Sequence, residues 1–551
     1  MSGSLRVLIV GGYGTFGARL VALLATEPGL TLIVAGRSLA RATAACERHA
    51  STDATLIPAM FDRDADAAAQ LAAWRPDILV DASGPFQAYG TAPYRVIEAC
   101  IAAGVHYLDL ADGSDFVTGV RAFDEAARAA GLFVLSGVSS CPALTAAAVR
   151  RLSAGFIRID TIHGGIAPSP FAEIGENVVR AIATHAGKPV ALRRNGPAWS
   201  LTDHLSFTIA PPGHAPMRCR WFSLVDVPDL TVLPGLWPEV KTVWFGVGMA
   251  LGISHRLLTG FAWLVRLGAI AGLSPLVPLM RFTMRHVRWG EHRGGMFVAI
   301  EGIDSSGRIA KRSWHLVADG DDGPFVPAMG VAAVIRRVIS GQPPSPGARA
   351  AARDLDLDDY EPWFRQRAIH TGIRDDSTLY RRILGAAWDE LPAEIRAMHD
   401  GVLSATGRAS VERGNGLLAP LAAAIVGFPR ATPDTPVSVR FDADRDTETW
   451  TRTFGGESFS SRQSAGRIVG RSREHFGPLT FTMTLQPQGE RLLLVQRGWR
   501  IFGIPLPMWL CPRSNAYESV VEGRLHFHVE IGHPLTGMIV RYCGWLTPDP
   551  D

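Results

Sequence analysis

The sequence has few of the features that nucleic-acid-binding or disulfide-stabilised proteins share. Only three of its 551 residues are lysines, at positions 188, 241 and 311, and the formal net charge is +3. The basic residues are also spread along the chain, so a nucleic-acid interface has no electrostatic support. The six cysteines are isolated and form no CxxC pair. We therefore expect reduced thiols and a cytoplasmic protein.

The N-terminus also lacks a charged segment followed by an apolar signal region, and the first predicted strand already starts at Leu5. This pattern is not that of a targeting peptide. The chain is nevertheless well supplied with core-forming residues, because 47% of it is hydrophobic. Its length indicates about two to four domains and excludes disorder of the chain as a whole.

A glycine-rich turn lies near the start, between a predicted strand and a predicted helix. The strand is the apolar run 5–10, and glycines 12, 14 and 17 follow with the spacing G-x-G-x-x-G. In such turns the first glycine permits the tight bend, the second admits a pyrophosphate, and the third lets the helix pack on the strand. The helix amides then face the phosphates. This context favours a dinucleotide site over a purely structural turn.

The second predicted strand, Leu32 to Ala35, ends at Gly36, Arg37 and Ser38. NAD-binding folds usually place Asp or Glu at this point to bind the ribose hydroxyls. An arginine can instead bind a 2′-phosphate with its planar guanidinium, and a serine can donate a hydrogen bond to it. The sequence therefore favours NADP over NAD. The alternative for Arg37 is a solvated surface charge.

Strands and amphipathic helices continue to alternate up to about residue 150. The strand-like runs are 56–62, 77–86, 105–112 and 132–144, and helical runs such as 94–104 and 116–131 separate them. This order is typical of a doubly wound parallel α/β sheet, whose ligand lies beyond the carboxyl ends of the strands. We therefore predict a Rossmann-type domain over residues 1–150.

Six motifs then occur in order along the first two thirds of the chain. They are GGYGTFG (11–17), DASGPFQAYG (81–90), VIEACIAAGVHYLDLADG (96–113), GVSSCPAL (137–144), GDDGPFVPAMG (320–330) and PGARAAARDLDLDDYEPWF (346–364). Together they resemble the saccharopine-dehydrogenase-like reductase family over about residues 1–375. The resemblance implies that an NADP cofactor contacts Gly12, Tyr13, Gly14, Thr15, Phe16, Gly17, Arg37, Ser38, Asp62, Ala82, Ser83, Gly84 and Pro85.

Hydride transfer also needs a proton donor close to the nicotinamide, and the ends of strands are where such a group would lie. Three candidates follow predicted strands: Tyr89 as a proton donor, Asp112 to orient substrate or exclude anions, and Cys141 as a donor or a packing residue. Cys141 equally fits a small buried residue. Gln87 and Asp109 share the same placement without an assigned role.

Short β-like runs between residues 155 and 318 predict a second sheet, within an α+β substrate domain over 151–375. Glu173 and Glu176 are candidates to reach the substrate from this domain. In the family that the motifs resemble, this region also supports dimerisation. The resemblance therefore implies a homodimer.

The most apolar part of the chain is the segment 243–280, which we predict to belong to a helical segment over 243–290. A spanning helix needs about 20 predominantly apolar residues. Arg256, Arg266 and Pro275 divide this stretch into shorter pieces. Helices that lie in a membrane interface or line an apolar substrate pocket fit this pattern better than a membrane-spanning helix. A buried helical hairpin at a dimer interface is the remaining alternative. An interfacial position would place the protein peripherally on the inner membrane face.

The C-terminal region, from about residue 385 to 551, reads as many short strands separated by Gly and Pro. This pattern predicts a mainly antiparallel β domain, a sandwich or a barrel. It resembles an uncharacterised domain that follows the reductase module in some proteins. His526, His528 and Glu530 alternate along one strand, a spacing that can hold a metal. A polar strand face explains them better, and we expect no metal.

Taken together, the sequence predicts an NADP-dependent oxidoreductase that acts on an apolar or membrane-associated substrate, such as an enoyl or carbonyl lipid. Saccharopine is a poor candidate because no Arg cluster is arranged for several carboxylates. Two alternatives stay open. One is a reductase of an imine or another amino-acid derivative, and the other is a non-catalytic NADP-binding sensor or lipid-associated protein.

Overall fold

The structure, a computed structural model, describes residues 4–49, 52–172, 183–190, 198–249, 252–286, 289–305, 307, 309–416, 419–444, 447–466 and 468–549. The chain divides into two compact units. The first comprises Met1–Pro211, Arg220–Arg308 and Ser313–Ile373, and the second comprises Pro212–Cys219, Ile309–Arg312 and Arg374–Asp551.

The first part of the chain, up to residue 375, alternates strands and helices. Its strands are β1 (Leu5–Val10), β2 (Leu30–Gly36), β3 (Thr55–Met60), β4 (Ile78–Asp81), β5 (His106–Asp109), β6 (Phe133–Ser136), β7 (Phe156–Ala167), β8 (Pro189–Val190), β9 (Ala198–Trp199), β10 (His204–Ile209), β11 (Met217–Leu224), β12 (Thr242–Gly248), β13 (Arg293–Asp304), β14 (Ile309–Asp319), β15 (Gly347–Ala350) and β16 (Ile369–Asp375). Its helices are α1 (Gly17–Leu24), α2 (Leu39–Glu47), α3 (Ala67–Trp74), α4 (Arg95–Ala103), α5 (Ser114–Gly119), α6 (Asp124–Ala129), α7 (Thr145–Leu152), α8 (Asp229–Leu236), α9 (Gly252–Arg266), α10 (Val277–His286), α11 (Val326–Ile339) and α12 (Leu357–Arg365).

The first sheet has the order β15-β6-β5-β4-β1-β2-β3, and all of its pairings are parallel. Its central strands are apolar on both faces, as strands covered by helices on two sides must be. The predicted doubly wound α/β fold is confirmed. In register, Val10 pairs with Ala35 on one side and with Asp81 on the other. The carboxyl ends of β1, β2 and β4 therefore meet at one edge, where a ligand is expected.

A second sheet follows, with the order β10-β11-β12-β7-β13-β14-β16. It is mixed, since β12 pairs with β7 in parallel and β13 pairs with β7 antiparallel. The chain then returns to the first sheet through α11, and β15 adds to it beside β6. The motif at 346–364 therefore contributes structurally to the cofactor domain.

The apolar segment 243–290, predicted to be helical, begins instead with the strand β12. The run of aromatic and β-branched residues Val243, Trp244 and Phe245 suits a buried strand, and β7 pairs with it over six residues. Helices follow only at α9 and α10. Within the described residues, no helix is long and apolar enough to cross a membrane.

The C-terminal region contains helices α13 (Leu379–Leu384), α14 (Ala393–His399) and α15 (Ala419–Val426). Its strands are β17 (Ser404–Arg413), β18 (Thr432–Asp444), β19 (Thr447–Phe454), β20 (Glu457–Ala465), β21 (Arg471–Phe476), β22 (Leu479–Gln488), β23 (Arg491–Ile501), β24 (Ile504–Leu506), β25 (Arg513–Val521), β26 (Arg524–His533) and β27 (Gly537–Pro548).

Ten of these strands close into an antiparallel barrel. The order is β22-β21-β20-β19-β18-β17-β27-β26-β25-β23, and β22 also pairs with β23, which closes the ring. Neighbours in the ring are almost all neighbours in the chain, so the topology is up-and-down. The prediction of a sandwich or barrel is confirmed as a barrel, with its own hydrophobic core.

Candidate cofactor and substrate site

The glycine turn after β1 is too tightly packed to accept side chains. Gly11 has a φ of +78°, and a Cβ at Gly12 would lie 2.9 Å from Cγ1 of Val34. A Cβ at Gly17 would lie 2.1 Å from the carbonyl oxygen of Gly11, because α1 starts directly against the turn. The third glycine therefore allows the close helix packing expected of this motif.

The outer side of the turn is more open and fits a dinucleotide. Among the described residues, a Cβ at Gly14 would meet only the carbonyl oxygen of Gly11 within 4 Å, at 3.1 Å. Thr15 and Phe16 complete the turn, and the first amides of α1 follow them. Helix N-terminal amides bind phosphate groups. Gly12 to Gly17 are therefore the residues that would hold a pyrophosphate.

Tyr13 has a supporting role that its place in the motif did not reveal. Its hydroxyl accepts a hydrogen bond from the backbone nitrogen of Ser38 at 2.9 Å, and its ring packs against Gly36, where a Cβ would lie 2.5 Å from the hydroxyl oxygen. The guanidinium carbon of Arg41 lies 4.6 Å from the centroid of the same ring. Tyr13 thus joins the glycine turn to the end of β2.

The end of β2 presents two arginines to solvent. Arg37 and Arg41 are both exposed, and Oγ of Ser38 caps α2 by accepting a hydrogen bond from the Arg41 nitrogen at 3.4 Å. Sequence reasoning identified Arg37 and Ser38 but missed Arg41, which the first turn of α2 brings to the same place. Asp62 lies after β3, where its Oδ1 accepts a hydrogen bond from the nitrogen of Asp64 at 3.1 Å.

The turn after β4, Ala82 to Pro85, lies against the glycine turn. A Cβ at Gly11 would be 2.7 Å from the carbonyl oxygen of Ala82. Behind this turn, the buried Asp81 accepts hydrogen bonds from Oγ of Ser83 at 2.5 Å and from the Tyr89 hydroxyl at 3.1 Å. Burial raises the pKa of Asp81.

Tyr89 therefore belongs to a hydrogen-bonded group with Ser83 and Asp81. Its hydroxyl lies 2.9 Å from Oγ of Ser83, and the guanidinium carbon of Arg63 is 3.1 Å from its ring centroid. Burial and the nearby Asp81 carboxylate raise the pKa of the Tyr89 hydroxyl, so it stays protonated. Its ring lines the cavity described next.

A cavity of about 620 Å³ opens beside the glycine turn, within the first unit. Phe16, the last residue of the turn before α1, lines it. The wall is mainly apolar and includes Phe86, Tyr94, Phe116, Ile166, Val225, Val227, Val247, Met296, Leu316 and Val326. None of the described lining residues is Arg or Lys. Glu173 and Glu176, the sequence candidates from the second domain, lie outside the described residues.

Asp112 presents a carboxylate to this cavity. The residue is exposed to the cavity, and its Oδ1 accepts a hydrogen bond from Nε2 of Gln87 at 3.0 Å. Burial within the surrounding protein raises the pKa of Asp112, and the nearby His185 partly opposes that effect. His185 and Ser140 also line the cavity. His185 stands in no recognisable motif, and Ser140 lies within the motif GVSSCPAL but was not singled out as a site residue.

Asp109 and Cys141 lie deeper than Asp112. Oδ1 of Asp109 accepts hydrogen bonds from the nitrogens of Ala111 and Gly137, at 3.0 and 2.7 Å, and burial raises its pKa to about 7. Cys141 is 8% exposed and does not line the cavity in the described part of the chain. Burial and the neighbouring Asp229 carboxylate raise the pKa of the Cys141 thiol.

The trio considered as a metal site lies on β26, and two of its three groups have other partners. Glu530 forms an ion pair with Arg541 at 2.7 Å. The His528 ring stacks on Tyr517 with centroids 5.0 Å apart. These contacts agree with the interpretation of His526, His528 and Glu530 as a polar strand face.

Comparison with known protein families accounts for both ends of the chain. Residues 7–135 match the saccharopine dehydrogenase NADP binding domain, and residues 391–546 match a domain of unknown function, DUF4166. The chain thus joins a saccharopine dehydrogenase-type NADP-binding domain to a DUF4166 domain. The first match supports a nicotinamide cofactor and an NAD(P)-dependent oxidoreductase. None of the curated proteins matches the sequence.

Similar solved structures include oxidoreductases of low sequence identity. Saccharopine dehydrogenase (L-Glu forming) from Saccharomyces cerevisiae is 15% identical, with 67% of this chain and 99% of that chain covered and a TM-score of 0.47. An oxidoreductase from Agrobacterium radiobacter is 10% identical, with 68% and 98% covered and a TM-score of 0.32. Biliverdin reductase from Synechocystis is 12% identical, with 65% and 95% covered and a TM-score of 0.30.

Proposed function

We propose that this saccharopine dehydrogenase-type protein is an NADP-dependent reductase of an apolar carbonyl or enoyl compound. The observation that carries the proposal is the position of Phe16. This residue ends the glycine turn that fits a pyrophosphate, and it also lines the mainly apolar cavity of about 620 Å³. A cofactor bound at the turn would therefore adjoin a space suited to an apolar substrate.

The preference for NADP is supported at the end of β2. Neither Asp nor Glu occupies positions 36 to 38, and the exposed guanidinium groups of Arg37 and Arg41 lie at the adjoining start of α2. A carboxylate there would repel a 2′-phosphate, whereas a guanidinium binds it in a bidentate manner. The Ser38 hydroxyl can add a further hydrogen bond.

The substrate class is supported by the cavity wall. A substrate with several carboxylates would need cationic partners, and the described lining residues include no Arg or Lys. An apolar chain gains instead from burial against the aromatic and aliphatic wall. This argument favours the lipid-like substrate over a substrate with several carboxylates.

When bound, NADPH supplies the hydride, and the residues of this chain have to position the substrate and hold a proton. Asp112 lines the cavity, and burial raises the pKa of its carboxyl group, so it is the candidate proton donor. Gln87 donates a hydrogen bond to Oδ1 of that carboxyl group and so fixes its orientation. The Tyr89 hydroxyl donates to Asp81 and has a strongly raised pKa, so it stays protonated and stabilises the cavity wall rather than releasing a proton.

We propose that the protein takes such a substrate from a membrane, which it contacts peripherally. Leu257, Phe261, Leu264 and Leu267 recur at helical spacing along α9 and beyond it, and are 60%, 40%, 41% and 72% exposed. Apolar side chains on one face of a helix, with Arg266 beside them, suit the surface of an anionic bilayer.

The test is a steady-state assay of NADPH consumption with three candidate substrates. Octanal and trans-octenal represent the apolar class, and pyrroline carboxylate represents a charged imine. Each is supplied in buffer and in phosphatidylglycerol vesicles. We expect turnover of octanal or octenal, and faster turnover when they are supplied in vesicles.

Asp112→Asn should lower kcat about 100-fold, because the carboxyl proton is lost. Val227→Trp should raise KM by filling the cavity.

Asp53→Asn is the matched control, since Asp53 is exposed and lies outside the cavity. Faster turnover of pyrroline carboxylate would overturn the substrate class in favour of an imine reductase. Tight NADPH binding without any hydride transfer would instead favour the non-catalytic sensor.

A further inference from the structure

The interior of the C-terminal barrel is not filled completely. A cavity of about 120 Å³ lies inside it, lined by residues from strands around the ring. Most of the wall is apolar: Val437, Val439, Phe441, Trp450, Phe454, Phe481, Met483, Leu494, Leu525, Phe527, Val529 and Ile531. At about 30 Å³ for each water molecule in the liquid, this volume corresponds to about four water-sized groups. The barrel therefore has room for a small molecule rather than for a long chain.

A cluster of polar side chains projects into the barrel from three adjacent strands. Along β20, Phe459, Ser461 and Gln463 are buried and alternate with exposed residues, so they point inwards. Oε1 of Glu474 on β21 accepts a hydrogen bond from Oγ of Ser461 at 2.6 Å. It also accepts hydrogen bonds from Nη2 of Arg452 at 3.4 Å and from Nε2 of Gln463 at 3.5 Å.

One acceptor in this cluster has no partner. Gln463 is 1% exposed, and among the described residues its Oε1 forms no hydrogen bond, although the residue lines the cavity. The bond from its Nε2 to Glu474 fixes which end of the amide is the oxygen. An unsatisfied buried acceptor costs about 1 to 3 kcal/mol. A ligand that donates a hydrogen bond to this oxygen would remove that cost.

The charges in the cavity exclude most charged ligands. Arg452 is paired with Glu474 at 3.4 Å, so the guanidinium is not available to a ligand carboxylate without loss of that pair. On another part of the wall, Nε2 of His399 lies 2.8 Å from Oε2 of Glu518. Burying an additional unpaired charge beside these groups would be costly. A neutral ligand with a hydrogen-bond donor fits best.

We propose that the barrel interior is a second binding site, which takes a neutral, mainly apolar molecule of about five non-hydrogen atoms whose hydroxyl group donates a hydrogen bond to Oε1 of Gln463. The apolar part of the ligand contacts the aromatic and aliphatic wall. The hydroxyl group completes the polar cluster formed by Arg452, Ser461 and Glu474. This site is separate from the cofactor and substrate site and does not depend on reductase activity.

The test is isothermal titration calorimetry of the full chain with three four-carbon probes that differ only in the head group: butanol, butyrate and butylamine. The expected order has butanol tightest. Gln463→Leu should weaken butanol binding about fivefold to tenfold, because the acceptor is lost. Leu494→Trp should abolish it by filling the cavity. Val227→Trp, in the other cavity, should leave this binding unchanged.

Each variant is also measured by circular dichroism and thermal unfolding, so that a folding defect is recognised. Gln463→Leu should be at least as stable as wild type, because it removes an unsatisfied buried polar group. Butanol binding that survives both barrel variants, or that only Val227→Trp removes, would overturn the proposal. Tightest binding of butyrate or butylamine would overturn the assignment of a neutral hydroxyl.

Discussion

The cavity beside the glycine turn and the cavity in the barrel are built in opposite ways. The first, of about 620 Å³, lies where parallel strands end, and its chemical groups come from short turns such as 12–17 and 109–112. The second, of about 120 Å³, lies inside a barrel, and its groups come singly from alternate positions of many strands. Turns carry recognisable motifs, whereas alternate strand positions do not. The sequence therefore predicts residues for the first cavity and none for the second.

The buried carboxylates of the first domain and of the barrel also differ, in the groups that donate hydrogen bonds to them. In the first domain, Asp109 is held by backbone amides and a Ser136 hydroxyl, all of them uncharged donors. In the barrel, Glu474 accepts hydrogen bonds from the Ser461 hydroxyl and the Arg452 guanidinium, and Glu518 lies against His399. For Asp109, which has only uncharged donors, burial is the largest influence and its pKa rises.

The largest expected effect tests whether the cofactor site depends on one turn. Gly17→Ala should weaken NADPH binding at least 1000-fold and lower Tm, because the new Cβ would lie 2.1 Å from the Gly11 carbonyl oxygen. Binding is measured by calorimetry. Butanol binding in the barrel should persist, since the barrel has a hydrophobic core of its own.

Gly260→Ala is the matched control for that change. It also lies in a helix, α9, and no atom of the described residues lies within 4 Å of its added Cβ. It should leave NADPH binding unchanged and should stabilise α9 by up to about 1 kcal/mol. If Gly260→Ala weakened NADPH binding as much as Gly17→Ala does, the cofactor site would not depend on the glycine turn, and the comparison between the two kinds of site would fail.

A smaller effect tests the contrast between the carboxylates. Burial raises the pKa of Asp109 from 3.8 to about 7, so the folded state favours its protonated form. The stability that this proton contributes is complete below the unfolded value and is lost as the pH rises towards the folded value. Asp109→Asn has no such titration. Between about pH 5 and pH 8, its free energy of unfolding should gain about 2 to 3 kcal/mol relative to wild type.

Thermal unfolding of both proteins across that pH range measures the difference. Asp53→Asn, an exposed residue, should track wild type at every pH. Parallel curves for Asp109→Asn and wild type would show that uncharged donors do compensate the Asp109 carboxylate.

Most of the first domain was predictable because its features are local. The apolar run Leu5–Val10, the glycine spacing and the residues after β2 each act through neighbours in the chain. The cavity wall was less predictable, since Val247 and Met296 come from the second sheet and Val227 from the loop between β11 and α8, and only tertiary packing brings them to the turn. The strand β12 was missed for a related reason, as its apolar residues fit a helix or a strand until β7 pairs with it.

The barrel was predictable as a class of fold but not as a site. Its repeated strands and turns are visible in the sequence, but the closing pair between β22 and β23 and the meeting of Arg452, Gln463 and Glu474 depend on register. Register is set by the whole barrel rather than by a local pattern.

The central claim is that the turn after β1, with the arginines after β2, forms an NADP site. The most direct measurement is a paired titration of NADPH and NADH by tryptophan fluorescence, with wild type, Arg37→Ala, Arg41→Ala and the exposed control Arg48→Ala. We predict that wild type and Arg48→Ala bind NADPH at least tenfold more tightly than NADH, and that Arg37→Ala loses this preference. Equal affinity of wild type for both nucleotides, or an unchanged preference in Arg37→Ala, would contradict the account.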